Sequence, residues 1–194
     1  MRGQRNLYVR GSTSSFLSCE KDSEEIVKKL FVESGADSDL LKRLLIINTP
    51  DCLYDMTNPA YIKMIKGMSI QKLYEQGYLR FGPKIALGEN EEVRSYIRIS
   101  FDNFRPSKNP HFKDCIIEID ILCHPETWDV GNFRQRPLKI AGYIDNILNG
   151  CKLSGIGTLE FAGMNEILLD ENLAGYCLMY TATHGSDDVI PDED

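Results

Sequence analysis

The chain has 194 residues, of which 42% are hydrophobic and 26% are charged. This composition is typical of globular proteins and excludes disordered, collagen-like and disulfide-stapled chains. The formal net charge of −7 disfavours a general nucleic-acid-binding surface. No apolar run approaches the roughly 18 residues that a membrane-spanning helix needs, and no apolar segment follows the N-terminal arginines as in a secretory signal. We therefore expect a soluble intracellular protein without a membrane partner.

The two ends of the chain differ in composition from its centre. Residues 1–21 begin with arginines and small polar residues that cannot build a helix or strand alone, which predicts an N-terminal arm. Residues 186–194 carry five acidic side chains and predict a solvated acidic tail. Between these arms we expect a single α+β domain over 22–185, with a helical part over 22–92 and a sheet-plus-helix part over 93–185.

The first half of the predicted domain has the apolar spacing of helices. A helix is predicted over 24–34, where apolar residues recur on one face after a cap at Asp22 or Ser23. Three more helices are predicted over 40–47, 59–66 and 69–76. Glycine and proline residues then predict loop structure as far as the second half of the chain.

The second half changes to the period of two that strands require. In 93–101 and in 114–123, apolar residues alternate with polar ones, which predicts two neighbouring antiparallel strands with one buried face. A helix is predicted over 137–150, and its apolar stripe is expected to cover that face. The stripe consists of Leu138, Ala141, Ile144 and Leu148.

Three short β-rich runs follow this helix, at 158–161, 166–170 and 175–183. Turns at 163–165 and 171–173 separate them, so that they form two further strands or one long hairpin. The order is then N-terminal helices followed by β-β-α-β-β, without the crossovers that a parallel sheet needs. We therefore predict an α+β fold in which a helix packs on one face of an antiparallel sheet.

Six cysteines are spread along the chain without a C-x-x-C pair or another zinc-binding spacing. Half of them fall in apolar stretches, where a reduced thiol packs as a small hydrophobic group; these are Cys115, Cys123 and Cys177. The adjacent Cys123 and His124 can join one metal site only if the strand ends there, with His111 or His184 as a further ligand. The sequence favours structural thiols, with no metal and no cofactor.

Two carboxylates on the second strand, Glu118 and Asp120, lie about 7 Å apart on one face in the i, i+2 relation. Paired carboxylates can perform acid–base chemistry or bind a divalent cation. Charged residues that alternate with isoleucine are also the normal outward face of a strand. Arg94 and Arg98 on the neighbouring strand are placed to pair with them, so we interpret these residues as a solvated or interfacial face.

The loop before the second-half helix has the composition of a protein interface. It contains Trp128 and Phe133 beside Arg134 and Arg136, and aromatic residues and arginine are enriched where proteins meet. The alternative is that the tryptophan folds back over the core. Segment 150–157 follows a helix and contains no Gly-Lys-Ser or Gly-Lys-Thr of a phosphate-binding loop, and no serine lies in a nucleophile elbow. We therefore predict no catalytic residue.

The second half of the chain resembles a known family. Its β-β-α-β-β order, with 95–99 and 116–120 as facing strands and 144–150 in the following helix, is similar to that of the tail-terminator and head–tail connector proteins of long-tailed bacteriophages. The resemblance implies a structural virion protein whose copies close a hexameric ring between the tail tube and the head-side neck. It implies no catalysis and no cofactor. Its other partners are then neck and tail-tube proteins, with DNA only in transit through the lumen.

The resemblance also implies a location in the virion tail or neck, after assembly in the host cytoplasm. Contacts in such a ring would use strand edges, the aromatic loop and both arms. The helices over 22–76 are an addition to that family's compact form. Two alternatives stay open: a small binding or regulatory protein whose acidic tail occupies a basic site, and a metal-dependent enzyme built from Glu118, Asp120, His111 and Cys123.

Overall fold

Four helices form the N-terminal part of the computed structural model, which describes residues 19–82, 93–109, 112–169 and 172–185. The predicted acidic tail and residues 1–18 of the predicted arm lie outside these ranges. The helices are α1 (Cys19–Lys28), α2 (Ala36–Ile46), α3 (Pro59–Lys66) and α4 (Ile70–Glu75), and a π-helical turn at Lys29–Glu33 continues α1. Within the described residues, no helix combines the length and apolar character of a membrane span.

The first helix begins earlier than the sequence indicated. α1 starts at Cys19, inside the predicted arm, and Asp22 lies within it rather than at its cap. The Asp22 carboxylate is buried against His184 near the C-terminal end of the described chain. The Asp22 carboxylate therefore makes a tertiary contact with His184 and does not cap the helix as the sequence predicted.

The two short helices begin at the caps that their sequences provide. Asn58 accepts a hydrogen bond from the Ala60 backbone N–H, and Pro59 occupies the first turn of α3. The Ser69 hydroxyl accepts a hydrogen bond from the Lys72 backbone N–H at the start of α4. The predicted helix over 59–66 is confirmed, and the one over 69–76 is confirmed apart from its terminal residues.

A five-stranded sheet forms the second part of the fold. Its strands are β1 (Leu79–Phe81), β2 (Ser95–Pro106), β3 (Phe112–Cys123), β6 (Glu160–Leu168) and β7 (Ala174–Gly185). Their order is β1-β2-β3-β7-β6, with β1 parallel to β2 and all other pairs antiparallel. The helix α5 (Arg136–Leu148) follows β3, and the ribbon of β4 (Lys152–Leu153) and β5 (Gly157–Thr158) leads to β6. The predicted α+β fold is confirmed.

Two details of the sheet differ from the expectation. β1 lies in a region predicted to contain helices and loop, and its three residues are too few to show an alternating pattern. β6 runs without a break through 163–165, where a turn was expected. The register against β7 shifts between Phe161 and Gly163, so the glycine marks a β-bulge instead of a turn.

The hydrophobic core lies between one face of the sheet and the helices. Ile119 of β3, Ile144 of α5 and Leu44 of α2 are fully buried in a single cluster. Leu138 was expected in the stripe of α5 that covers the sheet, but 42% of this residue is exposed. The buried stripe of α5 instead passes through Ile140, which leaves Leu138 on the outer face of the helix.

The other face of the sheet carries a smaller apolar cluster. Tyr96, Leu122 and Leu173 are buried together there. The Arg80 guanidinium lies 4.4 Å from the centre of the Tyr96 ring, in the geometry of a cation–π contact. This face is therefore not the uniformly solvated surface that the alternation predicted.

Arg136 was predicted as a contact residue of the aromatic loop, and this prediction is wrong because its side chain is fully buried. Its Nη1 atom donates hydrogen bonds to the carbonyl oxygens of Leu44, at 2.6 Å, and Ile47, at 2.7 Å. Nη2 donates to the Thr49 carbonyl at 3.1 Å, and Nε donates to the Thr127 carbonyl. The last carbonyls of a helix lack partners within it and carry its negative dipole end, so Arg136 caps the C-terminus of α2.

We expect Arg136→Met to lower the free energy of unfolding by about 3 kcal/mol or more, because several buried carbonyls lose their donors at once. Arg134→Met provides the matched control, since Arg134 is exposed in the same segment, and should change stability by less than about 0.5 kcal/mol. Urea denaturation followed by circular dichroism measures both. Equal stability of the two variants would contradict the capping role.

Candidate assembly surfaces

The strand β6 forms one edge of the sheet, where it pairs with β7 on its inner side. Within the described ranges, no strand pairs with its outer side. Most of its nine residues are exposed, including Phe161, Met164 and Leu168, the last with 77% of its surface exposed. Edge strands are usually protected by charged residues, bulges, proline or short length. This strand has two glutamates and the bulge near Gly163, but no lysine or proline, and its nine residues are not short. The edge is suited to pairing with another chain.

The opposite edge of the sheet is only partly covered. β1 pairs with β2 at Ile97–Ile99, whereas β2 continues to Pro106. Phe81 at the end of β1 is 43% exposed and lies 6.0 Å from the ring of the exposed Tyr74. In the part of the chain that the structure describes, β1 therefore covers only the first part of this edge of β2, and the exposed aromatic pair lies at the end of that cover.

The predicted charged face is brought together only in part. Arg98 and Asp120 are register partners on β2 and β3 and form a salt bridge, and Asp120 is 3% exposed rather than solvated. Burial raises the pKa of Glu118, and the nearby carboxylates of Asp102 and Asp120 raise it further. Arg94 does not join this group: it donates to the Gln76 backbone carbonyl at 2.7 Å. The face is an internal electrostatic network more than an open contact surface.

The aromatic residues of the loop before α5 have separate environments. Trp128 is half-buried against the core and donates from Nε1 to the Cys123 carbonyl at 3.1 Å. This agrees with the alternative in which the tryptophan folds back over the core. Phe133 is fully exposed. Arg134 is exposed as well, and its guanidinium lies 5.7 Å from the centre of the Tyr54 ring.

Phe133 lies at the tip of a small hairpin with strained backbone geometry. Asp129 and Gln135 form a β-bridge across its base. Asn132 and Phe133 at the tip have φ values of 53° and 60°. Asparagine tolerates this left-handed region, but a bulky side chain there is uncommon and costs roughly 1–3 kcal/mol. Among the described residues, no packing of the Phe133 side chain offsets this strain, since the ring is fully exposed.

A groove of about 620 Å³ separates this hairpin from the outer face of α5. Phe133 and Leu138 supply apolar surface, and Arg134 and Lys139 supply positive charge. Tyr143 also lines the groove, and burial raises the pKa of its hydroxyl. The exposed Leu138, which sequence reasoning placed in the core, is thus part of a basic and apolar surface.

The described residues of the alternative metal site are not all brought together. Cys123 is buried on the core side of β3, whereas Asp120 has the opposite parity on the same strand and therefore points to the other face. His111 lies outside the described residues. This set therefore gives no support to a metal-dependent enzyme.

The structure brings Cys19, Asp22 and His184 together in a cluster. The sequence did not predict this cluster. Cys19 and Asp22 are one helical turn apart, which was visible in the sequence as a C-x-x-D spacing. The histidine comes from the other end of the chain, and only the fold brings it there. The pKa of Cys19 is raised by burial and by the neighbouring Asp22 carboxylate.

A protein-family model described as YomW matches residues 38–182, which is 145 of the 194 residues. The matched range begins in α2 and ends within β7, so it includes α5, the other strands of the sheet and most of β7. No curated protein matches the chain.

We expect Phe133→Asn to raise the free energy of unfolding by about 0.5–1 kcal/mol, because asparagine adopts the left-handed backbone more readily and the exposed ring makes no contact to lose. Phe112→Asn is the control, since Phe112 is an exposed phenylalanine on a strand without a positive φ, and it should give no gain. Thermal and urea denaturation measure both variants. At a protein concentration where the wild type is monomeric, a loss of stability on Phe133→Asn would show that the aromatic ring packs within the subunit.

Proposed function

Because the chain belongs to the YomW family, a phage-derived family, we propose that it is a structural protein of the bacteriophage virion. In this proposal its copies form a ring that acts as a tail terminator or neck component. The ring joins the tail tube to the head-side connector, in the virion tail or neck, after assembly in the host cytoplasm. No residue is given a catalytic role and no cofactor is assigned.

The observation that carries the proposal is the pair of open edges on one sheet. Within the described residues, β6 at one end is long and mostly exposed, with exposed apolar side chains beside two glutamates, and β2 at the other end extends past its short partner β1. The two edges differ in length and direction of pairing, so an edge-to-edge contact joins unlike surfaces. Contacts of this kind are heterologous and close into a ring when the rotation between copies permits it. Backbone pairing supplies affinity without a deep binding pocket.

The hairpin and groove provide a second contact region away from the sheet edges. Phe133 is an exposed aromatic anchor of the kind that dominates binding energy at interfaces. Arg134 and Lys139 make the groove basic, whereas the segment 186–194 carries five acidic residues. This complementarity favours a contact between the groove of one subunit and an acidic segment of a neighbouring subunit or neck protein.

The charge of the chain agrees with a passage for DNA. Each lysine or arginine that faces a lumen adds a phosphate contact and slows transit. The chain carries 22 basic and 29 acidic residues, so a ring of many copies has a strongly negative total charge. DNA is then a passing cargo of the ring and not a bound ligand.

We expect the purified protein to form rings that the single substitution Met164→Lys disrupts, because a lysine on an edge strand opposes pairing with another strand. Met64→Lys is a closely matched control: Met164 on β6 is 41% exposed and Met64 on α3 is 43% exposed. Sedimentation velocity and negative-stain electron microscopy measure the assembly. Rings in the wild type and in Met64→Lys, with monomers in Met164→Lys, are the expected result.

Two outcomes would contradict this prediction. Rings that persist unchanged in Met164→Lys would remove the edge strand from the interface. A wild-type protein that stays monomeric at high concentration would favour the alternative of a small binding or regulatory protein.

A further inference from the structure

A cluster of three different ligand groups lies where the two ends of the described chain meet. Cys19 and Asp22 are on the first turns of α1, and their spacing places them on one side of the helix. His184 is near the end of β7, on the strand face that points to the core. One ligand atom from each residue lies within 4.8 Å of the others.

The histidine ring is held between the other two groups. Its Nδ1 atom lies 2.5 Å from the Asp22 carboxylate oxygen Oδ2, and its Nε2 atom lies 3.9 Å from the Cys19 sulfur. A zinc ion binds sulfur at about 2.3 Å and imidazole nitrogen at about 2.0–2.1 Å. An ion of this size therefore fits between the sulfur and Nε2 without separating them further.

In this arrangement the Asp22 carboxylate contacts the far nitrogen of the His184 ring, as the carboxylate does in carboxylate–histidine–metal sites. Such a carboxylate fixes the orientation of the imidazole ring and makes it a better ligand. A divalent cation together with one thiolate and one carboxylate has no net charge. Neutrality matters here because His184 and Asp22 are almost completely buried, at 0% and 2% exposure.

Cys19 gives the cluster a route to solvent. It is half-buried and lines a groove of about 490 Å³ together with Phe104 and Ser100. Water entering by this groove can complete the coordination of an ion. The combination of sulfur and nitrogen donors favours zinc-type cations over magnesium or calcium, which prefer oxygen ligands alone.

We propose that Cys19 and His184, oriented by Asp22, bind a zinc-type divalent cation. The ion would fasten α1 to the last strand of the sheet, and so connect the start of the fold to its end. None of the three residues lies on β6 or on the hairpin, but the groove beside Cys19 is lined by Phe81 and by residues of β2, so the site adjoins the second sheet edge of the ring proposed above. Metal content and ring formation are measured separately, so either proposal can fail without the other.

The test uses the full-length protein freed of metal with a chelator and then dialysed against Zn²⁺ or Co²⁺. We expect one Zn²⁺ per chain by elemental analysis, an increase in melting temperature with Zn²⁺ but not with Mg²⁺, and a thiolate-to-cobalt charge-transfer band with Co²⁺. Cys19→Ser should lose the band and the stoichiometric Zn²⁺. Asp22→Asn should weaken Zn²⁺ affinity about 10- to 100-fold.

Cys151→Ser is the matched control, because Cys151 is also a half-buried thiol but lies outside the cluster, and it should bind metal like the wild type. Two results would overturn the proposal: no stoichiometric Zn²⁺ in the wild type, or unchanged binding in Cys19→Ser. If Cys19→Ser fails to fold, the wild-type cobalt spectrum decides, since a spectrum without a thiolate band excludes Cys19 as a ligand.

Discussion

The buried guanidinium of Arg136 is the interaction on which the arrangement of this molecule depends. Arg136 is the first residue of α5. Its guanidinium donates hydrogen bonds to the backbone carbonyls of Leu44 and Ile47 at the end of α2, of Thr49 just beyond, and of Thr127 before the hairpin. One side chain thereby fixes the helical part against the sheet-plus-helix part. Because Arg136 directly follows the hairpin, it also sets the position of the exposed Phe133 relative to α5.

The strands were predictable from the sequence, whereas several side-chain contacts were not. β2 and β3 were predictable because their isoleucines alternate with polar residues over most of their length, which is the pattern of a sheet with one buried face. The role of Arg136 was not predictable, because its acceptors are backbone carbonyls that no residue type identifies. The same holds for the strain at Phe133, since the turn that imposes it depends on tertiary contacts. The charged pair Arg98 and Asp120 was foreseen, but its burial was not.

The exposed surfaces of this fold support the proposal that this member of a phage-derived family assembles with copies of itself. Among the described residues, the sheet ends in two unlike edges, β6 and the part of β2 that β1 does not cover, and copies of one chain can pair along such edges. The hairpin adds an aromatic anchor beside a basic groove. The cluster of Cys19, Asp22 and His184 lies away from β6 and the hairpin and connects α1 to β7, although its groove adjoins the β2 edge.

The most direct measurement of the central claim is the position of this chain in the phage particle. Antibodies raised against the purified protein, with gold-labelled detection on intact virions, give that position by electron microscopy. The account predicts labels confined to the junction between head and tail. Particles without label, from which the chain is also absent by mass spectrometry, would contradict it, as would labels distributed along the tail or over the head.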